Sequence, residues 1–308
     1  MFAMSEYRFR IGDKDIDLIM NASGAHCKTK EQLDQLITNG MNTVITKTCT
    51  LNANPGNPIP NFQEINDHIS VNCLGMPNYG YKYYRDLFLE YHKKITYIIS
   101  MDASNWDELR EMLLDYDSFI SRLGITTREL VEINVSCPNK AGCSIIAYDP
   151  VELARLLENI KLLGLGSLDI GIKLSPYLDK MLVEKIGRIL ITYSSIVKYI
   201  VCSNSIPNAM IIDTTNGKPI LSNITGGISG IANRLIGVSN VYQFQNIFIR
   251  AFGNIVKIII LGCGGVETSD DIQQYLHAGA KGVQIGRVLY VDGIGRVSNI
   301  WNHFQAKL

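Results

Sequence analysis

The stretch Glu132-Ile-Asn-Val-Ser-Cys-Pro-Asn139 sets the reading of the whole chain. Residues 130–135 are apolar or β-branched at most positions, which predicts a short buried strand. Pro138 has no amide hydrogen to donate and disfavours helix just before it, so the chain turns there. The thiol of Cys137 and the amides of Asn134 and Asn139 thus gather at the C-terminal end of a strand, where α/β proteins bind ligands. Cysteine is also among the most buried residue types, so Cys137 taken alone reads more simply as an inert thiol in a strand-ending turn.

Outward from this strand, strand-like and helix-like segments alternate. Towards the N-terminus, strands are predicted over 17–20, 43–46 and 95–100. The first runs into Asn21-Ala-Ser-Gly24, and Lys47 stands at the end of the second. Towards the C-terminus they fall at 169–174, 199–202, 255–261 and 282–285. Helical spacing of apolar residues covers 31–39, 83–92, a stretch from 106, 151–163, 180–193 and 231–252, with Ser269 as the cap of a further helix over 270–278. Segments 7–11 and 16–18 flank a hairpin turn at Gly12-Asp-Lys-Asp15; 52–61 is a loop, and 204–225 is a long excursion holding a small hairpin. Alternation of this kind calls for a parallel sheet with helical crossovers. About eight units favour a closed α/β barrel of the (β/α)8 (TIM) type, with a small N-terminal hairpin and strand-end insertions, as one domain over 1–308. No GxGxxG follows the first strand, as a dinucleotide fold would require.

With 308 residues, formal net charge +0 and 46% hydrophobic residues, the chain lacks the basic surface of a sequence-independent nucleic-acid binder. Its first residues show no basic segment followed by a long apolar run, so no signal peptide is expected, and no stretch approaches the roughly 18 apolar residues of a membrane span. Seven cysteines, far apart and without CxxC pairs, fit reduced thiols in a cytoplasmic setting rather than disulfides or a zinc site.

The chemistry collects at strand ends. Gly262-Cys-Gly-Gly265 and Gly286-Arg287 offer backbone N–H groups that can converge on a phosphate, although each also reads as an ordinary tight turn. Lys47 and Lys173 end predicted barrel strands and can face a site mouth, where a lysine stabilises a forming anion; either alone reads more simply as a solvated or snorkelling lysine. Asn72, Asn134, Asn139 and Asn204 occupy corresponding places and suit a planar heterocycle alternating C=O and N–H, or are single turn residues. The five histidines are scattered, and no metal site is expected. Asp149 and Glu267 read as helix caps, leaving Cys137 as the available base.

Taken together, Asn21-Ala-Ser-Gly24, Ile45-Thr-Lys-Thr48, Gly56-Asn-Pro-Ile-Pro60, Val71-Asn-Cys-Leu-Gly-Met-Pro-Asn78, Asn134-Val-Ser-Cys-Pro-Asn139, Ile172-Lys-Leu174, Ser203-Asn-Ser-Ile206, Gly226-Gly-Ile-Ser-Gly230, Gly262-Cys-Gly-Gly-Val-Glu-Thr268 and Gln284-Ile-Gly286 give the chain a family resemblance. It resembles dihydroorotate dehydrogenase, most closely the class 1A, fumarate-dependent form, over essentially its whole length. The resemblance implies a barrel holding FMN, with the flavin across Ala22, Ser23 and Gly24 and Lys173 at its N1/O2 edge. Thr48, Cys202, Gly226 and Cys263 would also line the cofactor, whose phosphate would meet Gly227, Gly264, Gly265, Gly286 and Arg287. Lys47, Asn72, Asn134, Asn139, Asn204 and Ser205 would surround the pyrimidine with the backbone of Leu74, Gly75 and Met76. Cys137 would take a proton from C5 of dihydroorotate, the C6 hydride would pass to the flavin, and Lys173 would stabilise the reduced flavin. Orotate would leave and fumarate would enter to be reduced. A homodimer is implied as well.

A cysteine base, the lack of an N-terminal amphipathic extension and the run Leu74-Gly-Met-Pro-Asn-Tyr-Gly80 resemble the fumarate form rather than the quinone-linked or NAD-linked ones. The chain departs from the family pattern in Lys140-Ala-Gly-Cys-Ser-Ile-Ile146, where Val-Pro-Gly-Lys-Pro-Gln is usual. Asn61 replaces an arginine, Pro207 a glycine, Thr48 a serine and Leu74 a methionine. The rival readings are the NAD-linked catalytic subunit, an impaired barrel kept as a binding protein, and an RNA-acting flavin reductase, which would need a basic face.

Overall fold

The computed structural model describes residues 7–24, 26–136, 145–253, 255 and 257–307. The expectations for Cys137 and Asn139 fall outside these residues. The chain opens with the expected hairpin, β1 (Arg8–Ile11) and β2 (Lys14–Asp17), around a turn shortened to Gly12 and Asp13. Then follow β3 (Ile19–Asn21), α1 (Lys30–Thr38), β4 (Thr43–Ile45), β5 (Phe62–Asn66), β6 (Ile69–Asn72), α2 (Tyr81–Tyr91), β7 (Thr96–Asp102), α3 (Trp106–Arg122) and β8 (Glu129–Asn134). The second half runs α4 (Pro150–Leu162), β9 (Leu168–Lys173), α5 (Lys180–Thr192), β10 (Val197–Cys202), β11 (Ile206–Met210), β12 (Thr225–Gly230), α6 (Ile231–Phe252), β13 (Ile259–Cys263), α7 (Ser269–Ala278), β14 (Gly282–Ile285), α8 (Arg287–Val291) and α9 (Ile294–Gln305).

Among the described residues, eight strands form one parallel sheet in the order β3-β14-β13-β10-β9-β8-β7-β4. The two ends of that order meet through a side chain. Asn21 donates from Nδ2 to the Ile45 carbonyl at 2.6 Å and accepts the Ile45 N–H on Oδ1 at 2.9 Å. One amide thereby satisfies both backbone groups of a β4 edge residue, which would otherwise be buried unpaired. The result is a (β/α)8 barrel.

Alternation along each strand sorts the side chains. On β8, Val131 and Ile133 pack under the helices, while Leu130 lies in the barrel interior with Ile98, Val201 and Leu261. On β10, Tyr199 and Val201 are interior, and Cys202 belongs to the outer layer. Ile11 and Ile16 of the hairpin join the interior cluster, so β1 and β2 plug its N-terminal end. The open end is the C-terminal one, as barrels require for a site.

Helices α1, α3, α4, α5 and α7 begin at a side-chain acceptor, whereas α2, α6, α8 and α9 begin at a glycine. Asp149 caps α4 as expected, accepting from Val151 N and Glu152 N. At α7 the cap is Thr268, in a capping box with Asp271, not Ser269, which is the first helical residue. Glu267 is not a cap either; its carboxylate faces His68 and Arg287. Strand β13 starts four residues later than the apolar run implied, because Ile255 is exposed. The small hairpin of 204–225 is part of a four-stranded antiparallel sheet, β11-β12-β6-β5. Strand β12 pairs with β6 in the register Gly227↔Asn72. Strand β5 escaped the sequence reading because its pattern is mostly exposed. No helix among the described residues is long and apolar enough to cross a membrane.

Inside the barrel, Gly171 of β9 leaves room for the buried Tyr199 ring; a Cβ built there would fall inside that ring. Gly171→Ala is therefore expected to destabilise the fold by about 1–3 kcal/mol, the usual cost of overpacking. Denaturant unfolding measures this, and an unchanged midpoint would show that the ring shifts freely.

Candidate active site

The open end of the barrel holds a cavity of about 560 Å3, within the range of ligand sites. Strand ends and the small sheet build it. Ala22, Ser23 and Gly24 follow β3, and Lys47 and Thr48 follow β4. Asn72 ends β6, and Leu74, Gly75 and Met76 continue from it. Asn134 and Lys173 end β8 and β9; Asn204 and Ser205 follow β10; Gly226 and Gly227 lie on β12. Cys263, Gly264 and Gly265 come from β13, and Gly286 and Arg287 from β14. All these sequence-expected residues line one cavity. Cys202 does not: strand alternation turns it outward into the helix layer, and the next residue, Ser203, lines the cavity instead. Asn61 does not line it either, since its Nδ2 bonds the Asn57 carbonyl at 2.9 Å.

Lys173 occupies the cavity floor, 5% exposed, in a network the sequence reading left out. Its Nζ donates to Gln284 Oε1 at 3.1 Å and to Ser23 Oγ at 3.3 Å. Glu132, fully buried on β8, accepts from Ser23 Oγ at 3.0 Å and from Gln284 Nε2 at 2.6 Å, and stands 4.0 Å from Lys173 Nζ. Opposite charges at that distance attract by about 4 kcal/mol at an effective dielectric of 20, while burying each costs several kcal/mol. The pair therefore does not repay its own burial; the hydrogen bonds from Ser23 and Gln284 are what make it tolerable. Glu132 and Gln284 were visible in the sequence as polar residues inside otherwise apolar strands.

Above this floor the amides hold one another. Asn134 Oδ1 accepts Ser136 N at 3.1 Å and Asn204 Nδ2 at 3.3 Å. Asn204 Oδ1 accepts Ser205 N at 2.8 Å. The carbonyl of Asn134 is thus committed to the protein, and its NH2 end is turned the other way. Asn72 Nδ2 reaches Gly227 O and Ser229 Oγ, both at 3.4 Å. Loop residue Asn57 pins the strip at 73–75, donating to Cys73 O at 2.8 Å and, from its backbone, to Leu74 O at 2.9 Å. Gly75 has φ +72°, and a Cβ there would sit 2.6 Å from Asn57, so the strip needs glycine.

The far end carries Arg287 and is rich in glycine. A Cβ on Gly264 would lie 2.8 Å from Asn233 Nδ2, and one on Gly265 2.7 Å from the Gly230 carbonyl. Both glycines have positive φ. Arg287 lines this end with its side chain 4% exposed; Nη2 donates to Asn66 O at 3.3 Å, but Nε and Nη1 have no hydrogen-bond partner among the described residues. Glu267 Oε1 is 3.6 Å from Nη1, close enough to balance charge and too far to bond. A buried guanidinium with two unsatisfied nitrogens beside a glycine cradle is suited to an anion. Asn233, on the first turn of α6, also lines the cavity and donates to Asn204 O at 2.7 Å.

Fold and cavity define a (β/α)8-barrel enzyme with its site at the C-terminal ends of the strands. A sequence-family model described as dihydroorotate dehydrogenase matches residues 11–308, and the chain belongs to that family, whose members are oxidoreductases. It is 31% identical over 291 residues to a probable dihydroorotate dehydrogenase A (fumarate) of Streptococcus pneumoniae serotype 4, covering 94% of this chain and 88% of the relative. Putative dihydroorotate dehydrogenases A (fumarate) of Streptococcus pyogenes serotype M18 and Streptococcus equi subsp. equi are each 31% identical, covering 89% and 93% of this chain and 84% and 88% of theirs.

Four described thiols of the barrel, Cys27, Cys49, Cys202 and Cys263, are held protonated by burial. Burial pushes Cys27 up to about 12, despite Lys47 and Lys173 nearby, and raises Cys49, Cys202 and Cys263 as well. Iodoacetamide at pH 8 is expected to leave these four unmodified in the native protein, as read by peptide mass spectrometry. Alkylation of Cys27 at the rate of a free thiol would show that the barrel opens there.

Proposed function

We propose that the chain is an FMN-dependent dihydroorotate dehydrogenase of the fumarate-linked class, acting as one cytoplasmic catalytic domain in pyrimidine biosynthesis. The observation that carries the reading is the gathering of the Lys173 floor, the Asn134–Asn204 amide pair and the Arg287–glycine end in one cavity. The residues present fit FMN. Arg287 has unsatisfied N–H groups for a phosphate, and the space over Gly24 and Gly286 is open, with nothing closer to an added Cβ than 3.6 Å. Gly227, Gly264 and Gly265 complete the phosphate end; Ala22, Ser23, Thr48 and Lys173 face the ring system. Bound FMN supplies the hydride acceptor.

The chain's own residues do the rest. Lys47, Asn72, Asn134, Asn139, Asn204 and Ser205, with the 74–76 backbone, hold the substrate's imides and carboxylate. Cys137, next in sequence to the cavity-lining Ser136, takes the C5 proton as the C6 hydride leaves, forming the C5=C6 bond of orotate. Lys173 balances the charge that collects on the cofactor. Fumarate then takes the hydride and a proton to become succinate. The fumarate-linked relatives support this oxidant.

Anaerobic flavin spectra of the FMN-loaded protein test the reading. Dihydroorotate is expected to bleach the flavin and fumarate to restore it, whereas NAD does not. Recovery with NAD alone would overturn the class, and failure to take up FMN would overturn the function. In the same assay Cys137→Ala is expected to keep FMN and lose at least about 100-fold in bleaching rate; a wild-type rate would remove Cys137 as the base.

We further read the chain as a homodimer. Ile59, Met210, Ile212 and Ile224, all exposed on or near the small sheet, support an apolar contact there. Sedimentation equilibrium is expected to give twice 34.3 kDa, and a single 34.3 kDa species would refute the dimer.

A further inference from the structure

We infer that Glu132 is a positioning residue that orients the whole Lys173 floor and sets how readily the bound cofactor accepts electrons; this rests on the reading that the cavity holds FMN. Four observations converge on it. The side chain is fully buried inside the barrel, so its charge is not screened by water. A carboxylate only accepts hydrogen bonds, so Gln284 must turn its NH2 to Glu132 Oε2, 2.6 Å away. That presents the Gln284 carbonyl to Lys173, which donates to it at 3.1 Å.

Ser23 follows the same logic. Its hydroxyl hydrogen is taken by Glu132 Oε1 at 3.0 Å, which leaves a lone pair for Lys173 at 3.3 Å. Two of the three N–H groups of Lys173 are thus consumed by partners whose orientation Glu132 dictates. The third has no acceptor among the described residues and is available to the cavity. Glu132 also stands 4.0 Å from Nζ, where it offsets part of the lysine's positive charge. A cofactor edge that gains negative charge on reduction feels the sum of the two, not Lys173 alone.

The test is an anaerobic dye-coupled redox titration of FMN-loaded wild type, Glu132→Gln and Glu132→Asp, with FMN affinity measured in parallel. Glu132→Gln keeps the shape and removes the charge. It is expected to hold FMN and to shift the two-electron potential upward by at least a tenfold change in equilibrium constant, about 30 mV. Glu132→Asp retains the charge and is expected to stay nearer the wild-type potential. A wild-type or lowered potential in Glu132→Gln would overturn the inference. So would loss of FMN from both variants, which would make Glu132 a strut of the fold. Wild type that takes up no FMN would instead overturn the function proposed above.

Discussion

The closure of the barrel by Asn21 is the constraint on which the rest depends. Strands β3 and β4 do not pair as a regular ladder; one side-chain amide satisfies both the N–H and the C=O of Ile45. With the ring closed, every strand delivers its last residue to the same end. Asn134 and Lys173 already stand side by side in the β8–β9 ladder, and the barrel's curvature brings Gln284 of β14 to face Lys173 across the interior. Interior polar groups are costly there, and each is held by another: Glu132 by Ser23 and Gln284, Asn134 by Asn204.

Much of this was legible in the residues. The eight barrel strands fall where apolar and β-branched runs lie, because strands buried on both faces read as nearly continuous apolar stretches. Strand ends were legible through Lys47, Lys173 and the Gly262–Gly265 turn. Strand β5 was not, since Phe62–Asn66 is half exposed and its pairing partner β6 supplies the order that its own sequence lacks. Ser269 suits a cap by residue type, but the neighbouring hydroxyl of Thr268 takes the position because it forms a capping box with Asp271.

At the site, the missed residues share a physical reason. Glu132, Gln284 and Asn233 gain their roles from neighbours across the barrel, and spacing along one strand or helix does not reveal cross-barrel partners. Cys202 lies one residue before the cavity-lining Ser203, and with period-two alternation one residue is the difference between cavity and helix layer. Glu267, read as a cap, faces instead the His68 ring and the Arg287 guanidinium, which the sequence places about 200 and 20 residues away.

The pairing of β12 with β6 has a consequence for how the molecule is made. Gly227 lies opposite Asn72, and β14, near the end of the chain, flanks β3, near its start. A ribosome-bound chain ending before β14 therefore has neither a closed ring nor a complete cavity. Contacts so distant in sequence are slow to form, because the loop between them must be ordered first. The cavity is accordingly among the last features of the fold to mature.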